Sequence, residues 1–537
     1  MEEQLYHIIR LRNLVRFTAM EKPGSDIAKN ASQVSFATLI SRILGYVRDM
    51  LIASFFGATM AADAFFVAYR IPNLLRKLLG EGSLSTSFIP VYTEYITTRE
   101  RGESAALIRS TFGVFGLIFI ALTVPGIIFA PQIVALIAPG FLAEPEKFSL
   151  TVSLTRIMFP FLTAIGLGAI TLGILNSWKK FFIPAIAPSM LSLFEIGFIL
   201  FLAGYVDPPV KALAYGVVAG GFAQFAVQIR PIVRRTGRIT PLLDFSHPGI
   251  RRIGGLMLPA IVGLSIMQIN SFVDTICATL LGPGSVTHLY YGNRLMQFPL
   301  ALFGTAVATV MLPLMSGHAA RKDIKSLKDS LSVSLRSVSF LIMPASVGFI
   351  LFGSPIIQLL FERGMFESSD TRSTYSVLAL YSTGLIFYAG VKIFVSAFHS
   401  LQDTRTPVRI ASLAMAVNVV LNIIVVTVEP VRELLSAGGL AAATASAAAV
   451  NFILLGAVFR KRHGLIGGKA VYSSMTKHLA ASAVLGLFIY YGDIYTRFWS
   501  VYLRTPLIIA AGAAVYLAAS KVLGSPELGQ VRAILSK

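Results

Sequence analysis

Eight charged side chains lie in the first two stretches of the sequence that are otherwise apolar enough to form membrane helices. Between residues 31 and 97 the apolar runs carry Arg42, Arg48, Asp49, Asp63, Arg70, Arg76, Lys77 and Glu81. One Arg, Lys or Asp at the centre of a lipid-exposed helix costs about 2.5–3.5 kcal/mol. These side chains are therefore expected to face a wet cavity. Their excess of arginine indicates an anionic substrate, because a guanidinium group grips phosphate through two parallel hydrogen bonds.

The spacing of these residues places several of them on shared helix faces. Arg42 and Asp49 are seven residues apart, and Asp63, Lys77 and Glu81 follow one stripe of the second helix. For the last three, internal ion pairing and snorkelling at helix ends is the alternative to a functional role. A functional role is favoured for three arginines, because positive charge exceeds negative charge near the middle of the spans: Arg42, Arg48 and Arg76.

The composition indicates a polytopic α-helical membrane protein. The chain has 537 residues, of which 55% are hydrophobic and 13% charged, with a mean hydropathy of +0.73. The single cysteine, Cys277, leaves no disulfide framework or cysteine-based metal site. The formal net charge is +20. Its basic residues fall mostly in short loops, which is the topology signal of a membrane protein and not a sign of nucleic-acid binding.

Apolar windows predict fourteen transmembrane helices, near 31–56, 63–97, 107–137, 149–175, 182–204, 211–230, 250–281, 285–317, 329–352, 372–400, 407–427, 437–459, 471–492 and 500–521. The loops on one side hold most of the lysines and arginines, so the positive-inside rule predicts that both termini are cytoplasmic. No loop exceeds about 20 residues, which leaves no room for a soluble catalytic domain.

A repeat divides the predicted helices into two sets of six. Asp49, Gly57, Arg70 and Pro90 recur as Asp274, Gly282, Arg294 and Pro313 with nearly equal spacing. Copies six helices apart share an orientation, so the two lobes are expected to be related by an axis along the membrane normal. The predicted organisation is a cytosolic N-terminal extension (1–30), an N-lobe (31–230), a basic linker (231–249), a C-lobe (250–460) and two further helices with a cytosolic tail (461–537).

A second constellation of polar residues lies in the predicted C-lobe. Asp274 is in the middle of an apolar helix, Asn418 and Asn422 share a face of another, and Thr444 is on a third. Carboxylate, amide and hydroxyl oxygens suit a hard cation. The alternative is that these residues join helices by hydrogen bonds.

The sequence strings around these positions resemble a known family. SRILGYVRD, ADAFFVAYRIPNLLRKLLGEGSLSTSFIPV, YYGNRLMQFP and LQDTRTPVRIA are similar to the MurJ/MviN lipid II flippases of the multidrug/oligosaccharidyl-lipid/polysaccharide exporter superfamily. The resemblance runs from about residue 31 to the end. It implies a V-shaped two-lobe fold, with the last two helices forming a groove for the lipid tail. It also implies export of the undecaprenyl-pyrophosphate-linked peptidoglycan precursor, lipid II, across the bacterial inner membrane.

The resemblance assigns roles to individual residues. The family's substrate-binding positions fall on Arg42, Arg48, Asp49, Asp63, Asn73, Arg76, Glu81 and Arg294. Secondary cavity positions fall on Arg70, Lys77, Asn293 and Gln297; the last two are amides where some relatives have acids. The sodium-binding type within the family implies sodium ligands at Asp274, Asn418, Asn422 and Thr444, with Asn422 in place of an aspartate.

The sequence therefore predicts a lipid II flippase working by alternating access, without enzymatic activity. The expected partners are lipid II, membrane lipids and other cell-wall synthesis proteins, with no nucleic acid, and the expected functional unit is a monomer. One alternative is an exporter of another lipid-linked glycan or a drug. Another is a membrane-embedded glycan transferase or ligase, whose acidic residues would come from the outer loop with Glu362, Glu367 and Asp370. No nucleophile triad, zinc signature or P-loop motif is present in the sequence.

Overall fold

The computed structural model describes residues 23–529. The side chains of residues 23–31, 79–81, 262–264, 266 and 267 are outside that description. Most of the predicted N-terminal extension, 1–30, therefore lies outside the described residues. The first described helix begins at Pro23, eight residues before the predicted start of the first apolar segment.

The described part of the chain is built from helices joined by short loops. The α-helices are α1 Pro23–Phe56, α2 Met60–Leu75, α3 Ser85–Thr98, α4 Arg101–Ile128, α5 Ala130–Ile137, α6 Pro145–Met158, α7 Pro160–Ser177, α8 Phe182–Ile186, α9 Ser189–Leu202, α10 Val210–Thr236, α11 Pro248–Thr279, α12 Ser285–Pro299, α13 Ala306–Ala320, α14 Ile324–Phe361, α15 Ser368–Thr383, α16 Leu385–Ser400, α17 Arg405–Thr427, α18 Glu429–His463, α19 Gly468–Tyr495 and α20 Val501–Val522.

The predicted all-α membrane fold class is confirmed. Each predicted apolar segment corresponds to one helix or to a run of consecutive short helices. Proline contributes to these interruptions because it has no backbone N–H to donate, as at Pro160, where α7 begins two residues after α6 ends at Met158. Within residues 23–529, nine helical stretches are long and apolar enough to cross a membrane, or ten if the bent pair α15 and α16 forms one span.

Two π-helical segments reproduce the sequence repeat in the backbone. One covers Arg76–Leu84 and the other Leu300–Thr305, and each begins six residues after the repeated arginine, Arg70 or Arg294. A π segment is a rare interruption of an α-helix that is frequently found at functional sites. Its recurrence in register supports the internal repeat that the sequence predicts.

The described chain forms two compact units. Unit 1 comprises residues up to Leu51, Tyr69–Ala130 and Leu154–Ser265, and unit 2 comprises Ile52–Ala68, Pro131–Ser153 and the residues from Ile266 onward. A core of unit 1 is formed by apolar residues of α3, α4 and α7, among them Phe88, Phe119 and Ile174. In unit 2, α14, α19 and α20 pack around Phe340, Leu485 and Tyr516. The lobe boundaries predicted from the sequence stay a prediction.

Candidate functional site

Arg48, in the last third of α1, is held by two acidic side chains of unit 1. Its Nη1 lies 2.9 Å from Oε2 of Glu195 on α9, and its Nη2 lies 2.7 Å from Oδ1 of Asp49. Nε donates to the same Asp49 oxygen at 3.0 Å. The exposed fraction is 9% for Arg48, 0% for Asp49 and 1% for Glu195. One guanidinium group thus lies between two buried carboxylates, which orient it and limit its rotation.

The two acids make Arg48 important for stability. Loss of its guanidinium group leaves Asp49 and Glu195 buried without the cation, and breaking a buried ion pair costs about 3–5 kcal/mol. Arg42 is different because its side chain is exposed. Its replacement removes a charge without leaving a buried partner, so the protein's level in the membrane is expected to stay near normal.

Glu195 was missed by the sequence reasoning. It is an isolated acid in the apolar helix SMLSLFEIGFILFL, and this isolation was an available signal. An acid in a membrane span is costly unless it is paired. The sequence does not show its partner, because Arg48 is 147 residues away.

The remaining polar residues predicted in unit 1 lie on α2 and on the π segment after it. Arg76 begins the π segment, and its Nε donates to Oδ1 of Asn73 at 2.9 Å. Arg70, Asn73 and Arg76 are half-buried, and Lys77 is exposed. The side chain of Glu81 lies outside the described residues.

Asp63, predicted as a substrate ligand, is enclosed by protein donors in unit 2. Its Oδ2 accepts hydrogen bonds from Lys147 Nζ at 3.1 Å and from the Gly284 amide at 2.8 Å. Its Oδ1 accepts from the amide of Thr287 at 3.0 Å and from its hydroxyl at 2.8 Å. Asp63 therefore caps the N-terminus of α12, where unsatisfied amides and the helix dipole favour negative charge. This geometry favours the alternative of internal pairing for this residue.

Lys147, which the sequence analysis does not single out, is the cation of this network. Only 2% of its surface is exposed. Its ammonium lies 4.2 Å from the centre of the Phe141 ring, a cation–π contact, in addition to its ion pair with Asp63. Gly284 has φ +80°, and a Cβ there would lie 2.7 Å from the Ala58 carbonyl oxygen. The network is therefore closely packed around backbone groups as well as side chains.

Arg294 is half-buried on α12 in unit 2. On the same helix, Gln297 donates a hydrogen bond from its amide to Oδ1 of Asn293, one turn away. The two side-chain amides are thus hydrogen-bonded to each other. Two acids at the same positions would repel each other at this spacing.

The four residues predicted to form a cation site meet in unit 2. Asn422 Nδ2 donates to Asp274 Oδ1 at 2.7 Å and to Asn418 Oδ1 at 3.0 Å. Asn418 Nδ2 donates to Thr444 Oγ1 at 3.1 Å, and Thr444 Oγ1 lies 3.4 Å from Asp274 Oδ2. Asn418 and Asn422 are fully buried, and Asp274 is 6% exposed. The cluster is rich in oxygen atoms and contains one carboxylate and one buried oxygen, Asn422 Oδ1, without a hydrogen-bond partner among the described residues. Such a set of oxygens suits a monovalent hard cation.

The acids considered for a transferase or ligase have helix-capping roles. Glu367 and Asp370 form a capping box at the start of α15, and the Glu367 amide donates to Asp370 Oδ2 at 3.1 Å. Glu362 Oε2 accepts from the Thr371 hydroxyl at 2.6 Å. His288 Nε2 lies 3.3 Å from Asp370 Oδ1. These contacts give each acid a structural explanation.

Comparisons with known proteins agree on one family. The family model for the lipid II flippase MurJ matches residues 52–509. A probable lipid II flippase MurJ of Vibrio cholerae is 34% identical over 515 residues, covering 93% of this chain and 96% of the relative. The lipid II flippase MurJ of Burkholderia cenocepacia is 35% identical over 434 residues, covering 80% of this chain and 83% of the relative.

Solved structures give the same result at the level of the fold. A lipid II flippase MurJ in an inward closed conformation superimposes with a TM-score of 0.76 at 29% identity, covering 91% of this chain and 98% of that one. An inward-facing multidrug transporter of the MATE family superimposes with a TM-score of 0.64 at 14% identity, over 82% of this chain and 99% of that one, and shows the fold alone. This chain belongs to the MurJ family of lipid II flippases.

Proposed function

We propose that this protein moves lipid II, the undecaprenyl-pyrophosphate-linked peptidoglycan precursor, from the cytoplasmic to the outer leaflet of the bacterial inner membrane by alternating access. The observation that carries the proposal is the match to lipid II flippases along 93% of the chain. In this proposal both termini are cytoplasmic, as the loop charges predict, and the protein acts as a monomer, with other cell-wall synthesis proteins as partners.

The arginines supply the chemistry that a pyrophosphate requires. Asp49 and Glu195 bind the guanidinium group of Arg48, so the orientation of this group is fixed before substrate binds. Arg42 is exposed and Arg76 is half-buried, and both provide further donors on unit 1. Unit 2 has its own half-buried arginine, Arg294. A bidentate guanidinium–phosphate contact combines charge with a defined geometry, which lysine does not reproduce.

Sodium is proposed as an accessory ion. Asp274, Asn418, Asn422 and Thr444 would hold it, and the buried Oδ1 of Asn422 fits this role. When bound, the cation would neutralise the charge of Asp274 inside a membrane helix. A bound ion shifts a conformational equilibrium only through its different affinities for the two states.

Complementation of a bacterium depleted of its own flippase tests the transport function. The wild-type chain is expected to restore growth and outward movement of lipid II, and Arg42→Ala to fail while its level in the membrane stays normal. Arg42→Lys is also expected to fail if the contact is bidentate. Exposed Arg432 lies outside the proposed substrate site, so Arg432→Ala is the matched control and should complement. Failure of the well-expressed wild type to restore lipid II movement would contradict the proposal.

A further inference from the structure

A cavity of about 620 Å³ opens on unit 1, and none of the candidate site residues described above lines it. It lies between α4, α7 and α10, and the linker segment (residues 237–247) closes one end. Its lining residues on α4 run from Phe112 to Ile120 and those on α10 from Phe225 to Val233. Eight residues of helix rise about 12 Å, so the cavity is an elongated groove along the helices.

The linker segment is fixed against α4 by backbone contacts. The Leu242 amide donates to the Arg109 carbonyl at 3.0 Å, and Arg109 Nε donates to the Thr240 carbonyl at 3.1 Å. A Cβ on Gly113 would lie 2.2 Å from the Leu242 carbonyl oxygen, so glycine is required for this close approach. The linker segment is therefore a fixed wall of the groove.

The lining combines an apolar interior with one cationic end. Arg238 is the single charged residue among the groove's lining residues, and the others on the linker segment are Ile239, Pro241 and Leu243. Arg238 is exposed, as are Arg234 and Arg235 in the last turn of α10. In the predicted topology this basic end is cytoplasmic. An elongated apolar groove that ends at an arginine is complementary to an acyl chain with an anionic headgroup.

The linker segment also carries apolar side chains that are exposed, including the groove-lining Leu243. The exposed fraction is 41% for Leu242, 61% for Leu243 and 54% for Phe245. Exposed apolar side chains next to basic residues, here Arg234, Arg235 and Arg238, are typical of segments that lie in the interface of a membrane with anionic lipids. This places the linker end of the groove, which carries Arg238, at the level of lipid headgroups.

We propose that the groove binds one acyl chain of an anionic phospholipid of the cytoplasmic leaflet, with its phosphate at Arg238. The lipid is an occupant distinct from the transported substrate. It would hold the linker segment, which joins α10 to α11, in its position on unit 1. Phosphate binding by an arginine at the water–lipid boundary gives the site its preference for an anionic headgroup.

Gly116 offers a way to fill the groove without disturbing the fold. A Cβ there would meet only Leu167 Cδ2, at the ordinary contact distance of 3.8 Å. Gly116→Leu therefore projects its side chain into the groove. Gly197, on α9 of the same unit, has nothing within 4 Å of an added Cβ, so Gly197→Leu is the matched control. For the headgroup, Arg238→Gln is paired with Lys180→Gln, which removes an exposed charge outside the groove.

The experiment measures phospholipid binding to the purified, delipidated full-length protein by native mass spectrometry and thermal unfolding. Phosphatidylglycerol and phosphatidylcholine with identical acyl chains are compared, and free glycerol 3-phosphate tests whether the phosphate alone suffices. Phosphatidylglycerol is expected to bind the wild type and both control variants about tenfold more tightly than phosphatidylcholine, and Arg238→Gln to lose this preference. Gly116→Leu is expected to lose the bound lipid while remaining folded. Equal binding of both lipids to the wild type, undiminished binding to Gly116→Leu, or an equal response to glycerol 3-phosphate would overturn the proposal.

Discussion

Arg48 on α1 and Glu195 on α9 form a buried ion pair with a distance of 2.9 Å. Because Asp49 occupies the other side of the same guanidinium group, the arginine is oriented from two directions. Two carboxylates around one buried cation do more than neutralise it, since they also fix the direction in which its remaining donors point. Glu195 therefore acts as a positioning residue for the proposed anion site.

Replacement of Glu195 tests this positioning role. Glu195→Ala is expected to abolish complementation and to lower the free energy of unfolding by about 1–3 kcal/mol, because a buried charged donor loses one acceptor. Glu195→Asp, which keeps the charge, is expected to recover most of the stability. Thermal unfolding and complementation are measured together. Normal lipid II movement by a stably folded Glu195→Ala protein would rule out the positioning role.

The pair Asp63 and Lys147 is expected to behave as one structural unit. Removal of either partner leaves a buried charge, so Asp63→Asn or Lys147→Met should each destabilise the protein by about 3–5 kcal/mol. The double variant should be less destabilised than the sum of the two, because neither charge remains. A double-mutant cycle on thermal unfolding in detergent measures this coupling. Additive effects would contradict the assigned ion pair.

The loop residue Asp403 should give a pH-dependent contribution to stability. Hydrogen bonds from the side chain and backbone of Thr406 lower the pKa of Asp403, with a smaller contribution from Arg462. A lowered folded-state pKa means that the contribution is fully present above the unfolded value of about 3.9 and is lost as pH falls through the folded value. The unfolding midpoint of the wild type minus that of Asp403→Asn should therefore be constant near neutral pH and shrink below about pH 4. A pH-independent difference would exclude this linkage.

The polar cluster around Asp274 shows what the sequence predicts well. Asp274, Asn418, Asn422 and Thr444 stand out because they are polar residues in apolar helices, and burial forces such groups to find one another. Asp63 was identified for the same reason. Its hydrogen-bond partners could not be identified from the sequence, because the backbone amides of Gly284 and Thr287 have no sequence signature.

Other features were less accessible from the sequence for physical reasons. The helix positions follow from apolar windows, but the π segments after Arg70 and Arg294 change the helical period only locally, and no residue type dictates them. Lys147 did not stand out in the sequence because a lysine at the end of a span is normally hydrated. Its burial depends on the Phe141 ring and Asp63, which only the folded chain brings together.

The predicted orientation of the chain in the membrane is tested with single cysteines, each placed at a glycine where a side chain can be added without a clash. Gly282 and Gly102 have nothing within 4 Å of an added Cβ, whereas a side chain at Gly284 would be strained by the positive φ and would clash with the Ala58 carbonyl oxygen. Both cysteines are introduced in a Cys277→Ser background. Gly282→Cys, in a predicted outer loop, should react with a membrane-impermeant thiol reagent in intact cells. Gly102→Cys, in a predicted cytoplasmic loop, should react only after the cells are permeabilised. The reverse pattern would invert the assigned topology.

The proposed sodium site makes a prediction about stability that does not depend on transport. An ion that binds only the folded protein stabilises it by mass action, by about 2.7 kcal/mol at one hundred times its dissociation constant. Sodium, but not potassium, is therefore expected to raise the unfolding temperature of the purified protein, with a graded dependence on concentration. Asp274→Asn should remove the effect, because it deletes the cluster's carboxylate. Asp329→Asn, an exposed acid on α14, is the matched control and should keep it. An unchanged sodium response in Asp274→Asn, or none in the wild type, would leave Asp274, Asn418, Asn422 and Thr444 as residues that join α11, α17 and α18 by hydrogen bonds alone.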